Sequence, residues 1–286
     1  MYRTIFSHVG KYKKQAILSP VTIIGEVLME VLIPIVMGKI IDNGIKMGDI
    51  GYVAKMGGLM VIMSVCSLCF GALAARFSAV AAMGFAKNLR SALFRKVQGF
   101  SFANVDRFST ASLTTRLTTD VTNVQNAFMM FIRSAFRSPI MLVCATVMAV
   151  RQNAKLSVIF LFAIPVLGCA VFFIISKAHP RFEKMLTKYD GMNGRIQENL
   201  IGIRVVKAFA REDYEKKRFE ENTNDVRLAQ FAAEKLVILN MPIMQLVMYA
   251  SIVAILYFGG HMSVKGGIQT GELYSFIMFV GQILMS

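Results

Sequence analysis

Histidine and cysteine, which supply most transition-metal and redox sites, are scarce in this chain. Its 286 residues include 3 histidines and 4 cysteines. Cys66 and Cys69 have the Cys-x-x-Cys spacing of a metal site, but no second ligand pair lies near them in the sequence. We therefore interpret the cysteines as small packing residues and predict no metal site. The histidines are scattered and the cysteines lie in apolar stretches: His8, His179 and His261; Cys66, Cys69, Cys144 and Cys169.

Acidic residues are also few. The chain has 17 of them against 32 basic residues, which gives a net charge of +15. A charge of this size is compatible with nucleic-acid binding, but the sequence has no zinc-finger spacing and no separate basic domain. The basic residues instead cluster beside hydrophobic segments, as the selection of membrane topology requires. We expect no nucleic-acid partner.

Charge is missing altogether from two long windows, residues 56–75 and 156–176. Each window is about as long as the twenty residues that a helix needs to cross the hydrocarbon core of a bilayer. Hydrophobic residues make up 55% of the chain and the mean hydropathy is +0.55, more apolar surface than a soluble domain of this length needs. The sequence therefore predicts an all-α protein of the cell membrane.

Six membrane spans can be placed. The first is interpreted as a retained span and not as a cleaved signal, because its apolar stretch is long and lacks a cleavage-like site. The last has only about fifteen residues when the chain stops, too few to cross the bilayer alone. The predicted spans are residues 15–41, 56–80, 128–150, 154–176, 236–258 and 272–286.

Two of the connections between spans are long, residues 81–127 and 177–235, and they carry most of the charge. Between residues 87 and 137 there are eight basic residues against two acidic ones. The segment 1–14 is basic as well. The positive-inside rule therefore predicts that both long connections and the N-terminus lie in the cytoplasm, with the short connections outside.

The long connections carry apolar residues at alternating steps of three and four, the pattern of helices that pack side by side. Because these stripes continue into the spans, we predict that the membrane helices extend into the cytoplasm as stalks of about 35–40 Å. Each stalk reverses direction at a tip where aromatic and charged residues lie together. We call residues 101–108 the first tip and residues 208–215 the second tip. One such stripe comprises Phe182, Met185, Tyr189, Met192, Ile196, Leu200 and Ile203.

Several segments resemble the exporter-type transmembrane domain of ATP-binding cassette (ABC) transporters. Residues 106–121 are similar to the first intracellular loop of that family, and residues 198–213 are similar to the second, which is the more specific match. Residues 30–42 resemble the end of its first span, and residues 257–273 its connection between spans five and six. The resemblance covers essentially the whole chain.

The resemblance implies a six-helix domain that pairs with a second half-transporter, as a homodimer or a heterodimer, and alternates between inward-open and outward-open states. It also implies that the two tips form short coupling helices that dock on a nucleotide-binding domain, with Phe209 and Tyr214 as anchoring aromatics. The coupling residues expected from the match are Phe102, Val105, Asp106, Phe108, Phe209, Arg211 and Tyr214.

The sequence departs from the family pattern in two respects. Ala111 stands where the family usually has glycine, which affects the start of the helix after the first tip. No G-x-x-x-x-G-K-[ST] motif occurs, so the chain has no phosphate-binding loop of that type. We therefore expect no enzyme activity and no cofactor in this chain, with ATP and magnesium bound by a nucleotide-binding domain that it lacks.

Charged residues inside the predicted spans are candidates for the substrate pathway, because ionisable groups at that depth are costly. Glu26 and Glu30 lie four residues apart in the first span, and Arg133 and Arg137 lie near the cytoplasmic end of the third. Glu26 is the better candidate for binding a cationic substrate. For Glu30 we favour a structural role, such as pairing with a neighbouring helix.

Two other functions compete with an exporter. A secondary transporter or channel would need interrupted polar helices and often an inverted repeat, which we do not find, and it would give the long stalks no purpose. A membrane scaffold protein would use the stalks to hold a partner without transport. The identity of the transported substrate is left open.

Overall fold

The computed structural model describes residues 8–101 and 110–286, and within these ranges it is helical apart from short turns, with no strand. A 3-10 turn, Gly10–Tyr12, precedes the first helix, and π-helical segments cover Ile40–Ile45 and Arg116–Asp120. The α-helices are α1 Lys13–Lys39, α2 Ile50–Gln98, α3 Thr110–Thr115, α4 Val121–Gln152, α5 Ala154–Ala208, α6 Glu212–Ile238, α7 Asn240–Val264 and α8 Thr270–Met285.

Five helical stretches of the described chain are long and apolar enough to cross a membrane, and the shorter α8 is apolar as well. This confirms the prediction of an all-α membrane protein whose sixth helix is short. The prolonged helices are confirmed too: α2 has 49 residues and α5 has 55. At 1.5 Å per residue these are about 74 and 83 Å long, more than twice the thickness of a hydrocarbon core.

A one-residue break at Leu239 separates α6 from α7 within the predicted fifth span. Pro242 explains it, because proline has no N–H with which to bond the carbonyl of Ile238, four residues earlier. The chain continues as a helix from Asn240, and the Ile243 N–H bonds the Leu239 carbonyl at 3.1 Å.

The chain divides into two compact units. The first comprises residues 1–158 and 254–286. In it α1 packs against α2, α4 and α8. A cluster of buried residues lies where the N-terminal segment meets α2 and α4, and it includes Phe85 and Phe128, whose rings stack with centroids 4.6 Å apart. The side-chain amide of Asn88 donates to the carbonyl of His8 at 2.8 Å and so holds the N-terminal segment to α2.

The second unit, residues 159–253, contains most of α5, all of α6 and the start of α7. In it α5 and α6 run antiparallel. The Lys188 ammonium pairs with Asp225 at 2.7 Å, and the Tyr189 hydroxyl lies 3.0 Å from Gln230 Oε1. Large apolar side chains such as Ile201 and Phe231 are exposed on this hairpin within the described part of the chain.

Candidate functional sites at the second tip and within the spans

The second tip is a tight reversal of the chain. Helix α5 ends at Ala208 and α6 begins at Glu212. Ala210 has a φ of +47°, a conformation that side chains other than glycine rarely adopt. Its strain is offset by hydrogen bonds that close the end of α5: the N–H groups of Phe209 and Arg211 donate to the carbonyls of Val205 and Val206, both at 3.0 Å. Three residues thus suffice to turn the hairpin.

The first turn of α6 is rich in acidic residues. Glu212, Asp213 and Glu215 all lie in its first turn, where carboxylates stabilise the positive end of the helix dipole. Asp213 accepts a hydrogen bond from the Lys216 ammonium at 3.0 Å, and this bond raises the pKa of Lys216 above its ordinary value. The acidic first turn helps to define where α6 begins.

The aromatic residues predicted at this tip are exposed. Phe209 has 74% of its surface accessible and Tyr214 has 56%. The Arg211 guanidinium lies 5.9 Å from the centre of the Tyr214 ring, within the range of a cation–π contact. The structure thus places Phe209, Arg211 and Tyr214 on or beside one turn. The residues of the first tip, Phe102, Val105, Asp106 and Phe108, lie outside the described residues.

A cavity of about 730 Å³ lies between α5 and α6 just behind the second tip. The side chains of Ile203 and Phe219 line it, and the Asn199 amide crosses between the helices to Glu215 at 3.1 Å. The sequence did not predict this cavity. The apolar stripe on α5 predicted close packing against another helix. Part of the same stripe, including Ile203, lines the cavity instead, where α5 and α6 are apart.

Three charged side chains meet in the middle of the first unit, and we call Glu26, Glu30 and Arg137 the charge cluster. One terminal nitrogen of Arg137 lies 2.9 Å from both carboxylate oxygens of Glu30, and the other contacts Glu26. Their side chains are 13% (Glu26), 30% (Glu30) and 33% (Arg137) exposed. Arg133, one turn from Arg137, is exposed and makes no ion pair with any described residue.

The structure therefore brings three of the four predicted pathway residues together and leaves Arg133 apart. Glu30 does pair with a neighbouring helix, which was the structural role considered for it, but Glu26 pairs with the same arginine. Arg137 is two residues from the midpoint of the predicted third span, residues 128–150, and its partner Glu26 is at the midpoint of α1, so neither residue lies at the end of a span.

Hydrogen bonds join α1 to α8 beside the charge cluster, and we call the residues that form them the polar seam: Glu30, Pro34, Ser275 and Gln282. Pro34 has no N–H and cannot bond the carbonyl of Glu30, four residues earlier in α1. The side-chain amide of Gln282 donates to that carbonyl at 3.0 Å. One turn further along α1, the carbonyl of Pro34 itself accepts from the Ser275 hydroxyl at 2.7 Å. Sequence reasoning missed Gln282 and Ser275, and a proline inside a span was the only signal for them.

The seam ends at a buried carboxylate. Asp42, 6% exposed, accepts the N–H of Gly271 at 2.7 Å in the first turn of α8. Below it, Gly38 and Gly271 are so close that a Cβ on Gly271 would lie 2.0 Å from the Gly38 carbonyl oxygen. Small residues are what allow two helix backbones to approach this closely. Gly38 and Asp42 lie in the segment that resembles the end of the first span of ABC exporters, and Gly271 lies in the segment that resembles their connection between spans five and six.

Comparison with known proteins agrees with this architecture. The family model of the ABC transporter transmembrane region matches residues 16–286. The uncharacterised ABC transporter ATP-binding protein YfiB of Bacillus subtilis is 32% identical over 277 residues, 97% of this chain and 48% of that protein. The uncharacterised ABC transporter ATP-binding protein Rv1273c of Mycobacterium tuberculosis is 31% identical over 283 residues, with 98% and 48% covered.

A more distant relative carries a functional name. The fatty acid ABC transporter ATP-binding/permease protein of Mycobacterium bovis is 27% identical over 197 residues, 69% of this chain and 31% of that protein. This chain spans about half the length of the curated relatives YfiB and Rv1273c. The family match, the two relatives above 30% identity and the helical architecture lead to one conclusion: the chain belongs to the ABC transporter transmembrane region family and is a multi-pass membrane protein.

Proposed function

We propose that this chain is the membrane-spanning half of an ATP-driven exporter. It forms the substrate pathway and is coupled to nucleotide-binding domains through its two tips. One observation carries the proposal: α2 and α5 continue without a break far beyond the length of a span, and the described tip at the end of the α5–α6 pair carries exposed Phe209 and Tyr214. Exposed aromatic side chains of this size favour contact with a partner.

The transporter in this proposal contains two such membrane halves, identical or similar, and two nucleotide-binding domains that hold ATP and magnesium. The apolar side chains of the α5–α6 hairpin, such as Ile201 and Phe231, support a second half as a partner, because they are exposed within the described part of the chain and exposed apolar surface favours contact with a partner. The N-terminus and both tips face the cytoplasm, as the distribution of basic residues requires.

The mechanism is mechanical. ATP binding closes the nucleotide-binding domains, and their movement displaces the tips. Because α5 is one helix of 55 residues, a displacement of the second tip is transmitted along it to the membrane. The membrane halves then exchange an inward-open for an outward-open arrangement. Glu26, Glu30, Arg133 and Arg137 are the proposed pathway residues.

The test is a double substitution, Phe209→Ala with Tyr214→Ala, in the complete transporter with its nucleotide-binding domains, reconstituted in vesicles. We expect ATP-dependent transport to be lost while ATP hydrolysis persists, because the nucleotide-binding domain no longer has its contact with the tip. Phe94→Ala, a similar truncation of an exposed aromatic on α2, outside both tips and outside the α5–α6 hairpin, is the matched control. Normal transport in the double variant would refute the coupling role.

The same experiment separates the rival functions. A secondary transporter moves its substrate without ATP hydrolysis, so its transport would respond to an ion gradient and not to ATP. A scaffold protein shows neither activity.

A further inference from the structure

The charge cluster holds two carboxylates and one guanidinium. Among the ion pairs of the described residues, Arg137 is the only cation that reaches Glu26 or Glu30. The formal charges of the three side chains sum to −1. Glu26 lies thirteen residues from either end of α1, which runs from Lys13 to Lys39. That is about 20 Å of helix on each side, so the unmatched charge is near the middle of a membrane span.

The exposed part of the cluster cannot face lipid. About a third of the Arg137 and Glu30 side chains is accessible, and charged groups at the centre of a bilayer face a water-filled cavity or a protein interior because hydrocarbon does not solvate them. In a transporter, the cavity that reaches this depth is the substrate pathway. In the exporter proposed above, the partly exposed side chains of Glu30 and Arg137 would border that pathway.

The surroundings of Glu26 have apolar as well as charged character. The ring of Phe70 on α2 packs on α1 directly before Glu26, since a Cβ on Gly25 would lie 3.1 Å from it. The next residue, Gly71, leaves room for the carboxylate: a Cβ there would lie 3.0 Å from Glu26 Oε1. A carboxylate beside an aromatic ring suits a ligand that is both hydrophobic and positively charged.

We propose, on the basis of the exporter function proposed above, that the charge cluster binds the positive group of a hydrophobic organic cation as transported substrate. A cation that approaches Glu26 and Glu30 brings the net charge of the site to zero. An anion would add to the excess negative charge and would have to displace two carboxylates from Arg137. The sign of the site therefore selects against organic anions.

The experiment uses the complete transporter in lipid nanodiscs and a pair of probes of the same shape and opposite charge, tetraphenylphosphonium and tetraphenylborate. Binding is measured without ATP, and stimulation of ATP hydrolysis is measured separately. We expect saturable binding of the phosphonium that the borate does not share. Glu26→Gln and Glu30→Gln should each weaken phosphonium binding by about tenfold.

Glu30→Gln is the decisive variant, because it keeps the Glu26–Arg137 pair while removing the excess charge. If the cluster only holds α1 to α4, this variant alters the melting temperature but leaves phosphonium binding unchanged, and that result would overturn the proposal. Glu183→Gln is the matched control, since Glu183 is exposed on α5 and outside the cluster. It should bind the phosphonium as the unmodified transporter does.

Other outcomes also decide the matter. Failure of the phosphonium to bind, or equal binding of both probes, would overturn the assignment of substrate class. Failure of the exporter function has a different signature: ATP hydrolysis and transport are absent or unlinked, while phosphonium binding measured without ATP still depends on Glu26 and Glu30.

Discussion

At the scale of single residues, Pro34 and Gln282 act as a pair. The proline removes a hydrogen-bond donor from α1, and a side chain 248 positions later supplies one to the carbonyl of Glu30. A buried carbonyl without a donor costs free energy comparable to a lost hydrogen bond, and the membrane offers no water to replace it. Gln282 thus offsets the cost of a proline within a span.

Gln282→Leu should lower the free energy of unfolding by about 1–3 kcal/mol, because the Glu30 carbonyl is then unsatisfied. Pro34→Ala supplies a backbone N–H to the same carbonyl. The double variant should therefore recover much of the stability that Gln282→Leu loses. Thermal unfolding in detergent of the four members of this cycle measures the coupling, and strict additivity would contradict the pairing.

Asp42 acts on the first turn of α8 in the manner of a helix cap. Asp42→Ala leaves the Gly271 N–H without its acceptor and removes a negative charge from the helix N-terminus, so we expect a loss of about 1–2 kcal/mol. Asp42→Asn keeps an acceptor oxygen and should lose less. Asp49→Ala, which removes an exposed cap from the Tyr52 N–H of α2, is the comparison. If thermal unfolding shows a larger loss of stability for Asp49→Ala than for Asp42→Ala, the capping role of Asp42 is contradicted.

At the scale of the helix, the contact between α1 and α8 depends on the absence of side chains at Gly38 and Gly271. Gly271→Ala places a methyl group 2.0 Å from the Gly38 carbonyl oxygen, so the helices must separate. We expect destabilisation by about 1–3 kcal/mol or more, as for other overpacked contacts.

Gly281→Ala is the control within the same helix. A Cβ at Gly281 meets nothing within 4 Å, and alanine is the better helix former, so its effect should be neutral or slightly stabilising. Melting temperatures of the two variants in detergent decide between a contact effect and a general intolerance of α8 to substitution. Equal losses in both would indicate the latter.

Whether an element could be predicted depends on whether the residues that cause it lie close together in the sequence. The spans and the long helices were predictable because uncharged windows and apolar stripes lie within one continuous segment. The break at Leu239 has a local cause as well, because Pro242 lies within the same stretch of the sequence. The seam between α1 and α8 was not predictable, since Gln282, Ser275 and Gly271 meet partners more than 220 residues away and nothing in the sequence around them indicates which face they share.

The charge cluster was predictable only in part. Four charged residues inside spans identified the candidates, because charge at that depth is rare. Which of them pair depends on how α1 and α4 are rotated about their axes, and that rotation is set by packing along their whole length. The sequence therefore could not assign both carboxylates to Arg137 or separate Arg133 from it.

At the scale of the whole molecule, the proposed function requires the second tip to lie on the cytoplasmic side and the connection between α7 and α8 outside. Single cysteines at Lys217 and Lys265 test this in a protein whose four native cysteines are replaced by serine. In intact cells a membrane-impermeant maleimide should label the cysteine at position 265 and spare that at 217 until the membrane is opened. Labelling of both positions from the outside would contradict the topology and with it the coupling role of the tip.

Helix α5 is unbroken from Ala154 to Ala208. The number of residues in it therefore sets both the direction in which the tip side chains point about the helix axis and the distance of the tip from the membrane. One residue inserted after Gly202 would rotate everything beyond it by about 100°, and Phe209 would then point to a different side of the hairpin. Seven inserted residues would return it to within about 20° of its original direction while lengthening the arm by roughly 10 Å. The α5 helix can therefore change in length only by about whole turns, because any other insertion or deletion would turn the second tip away from the surface on which we propose that it docks.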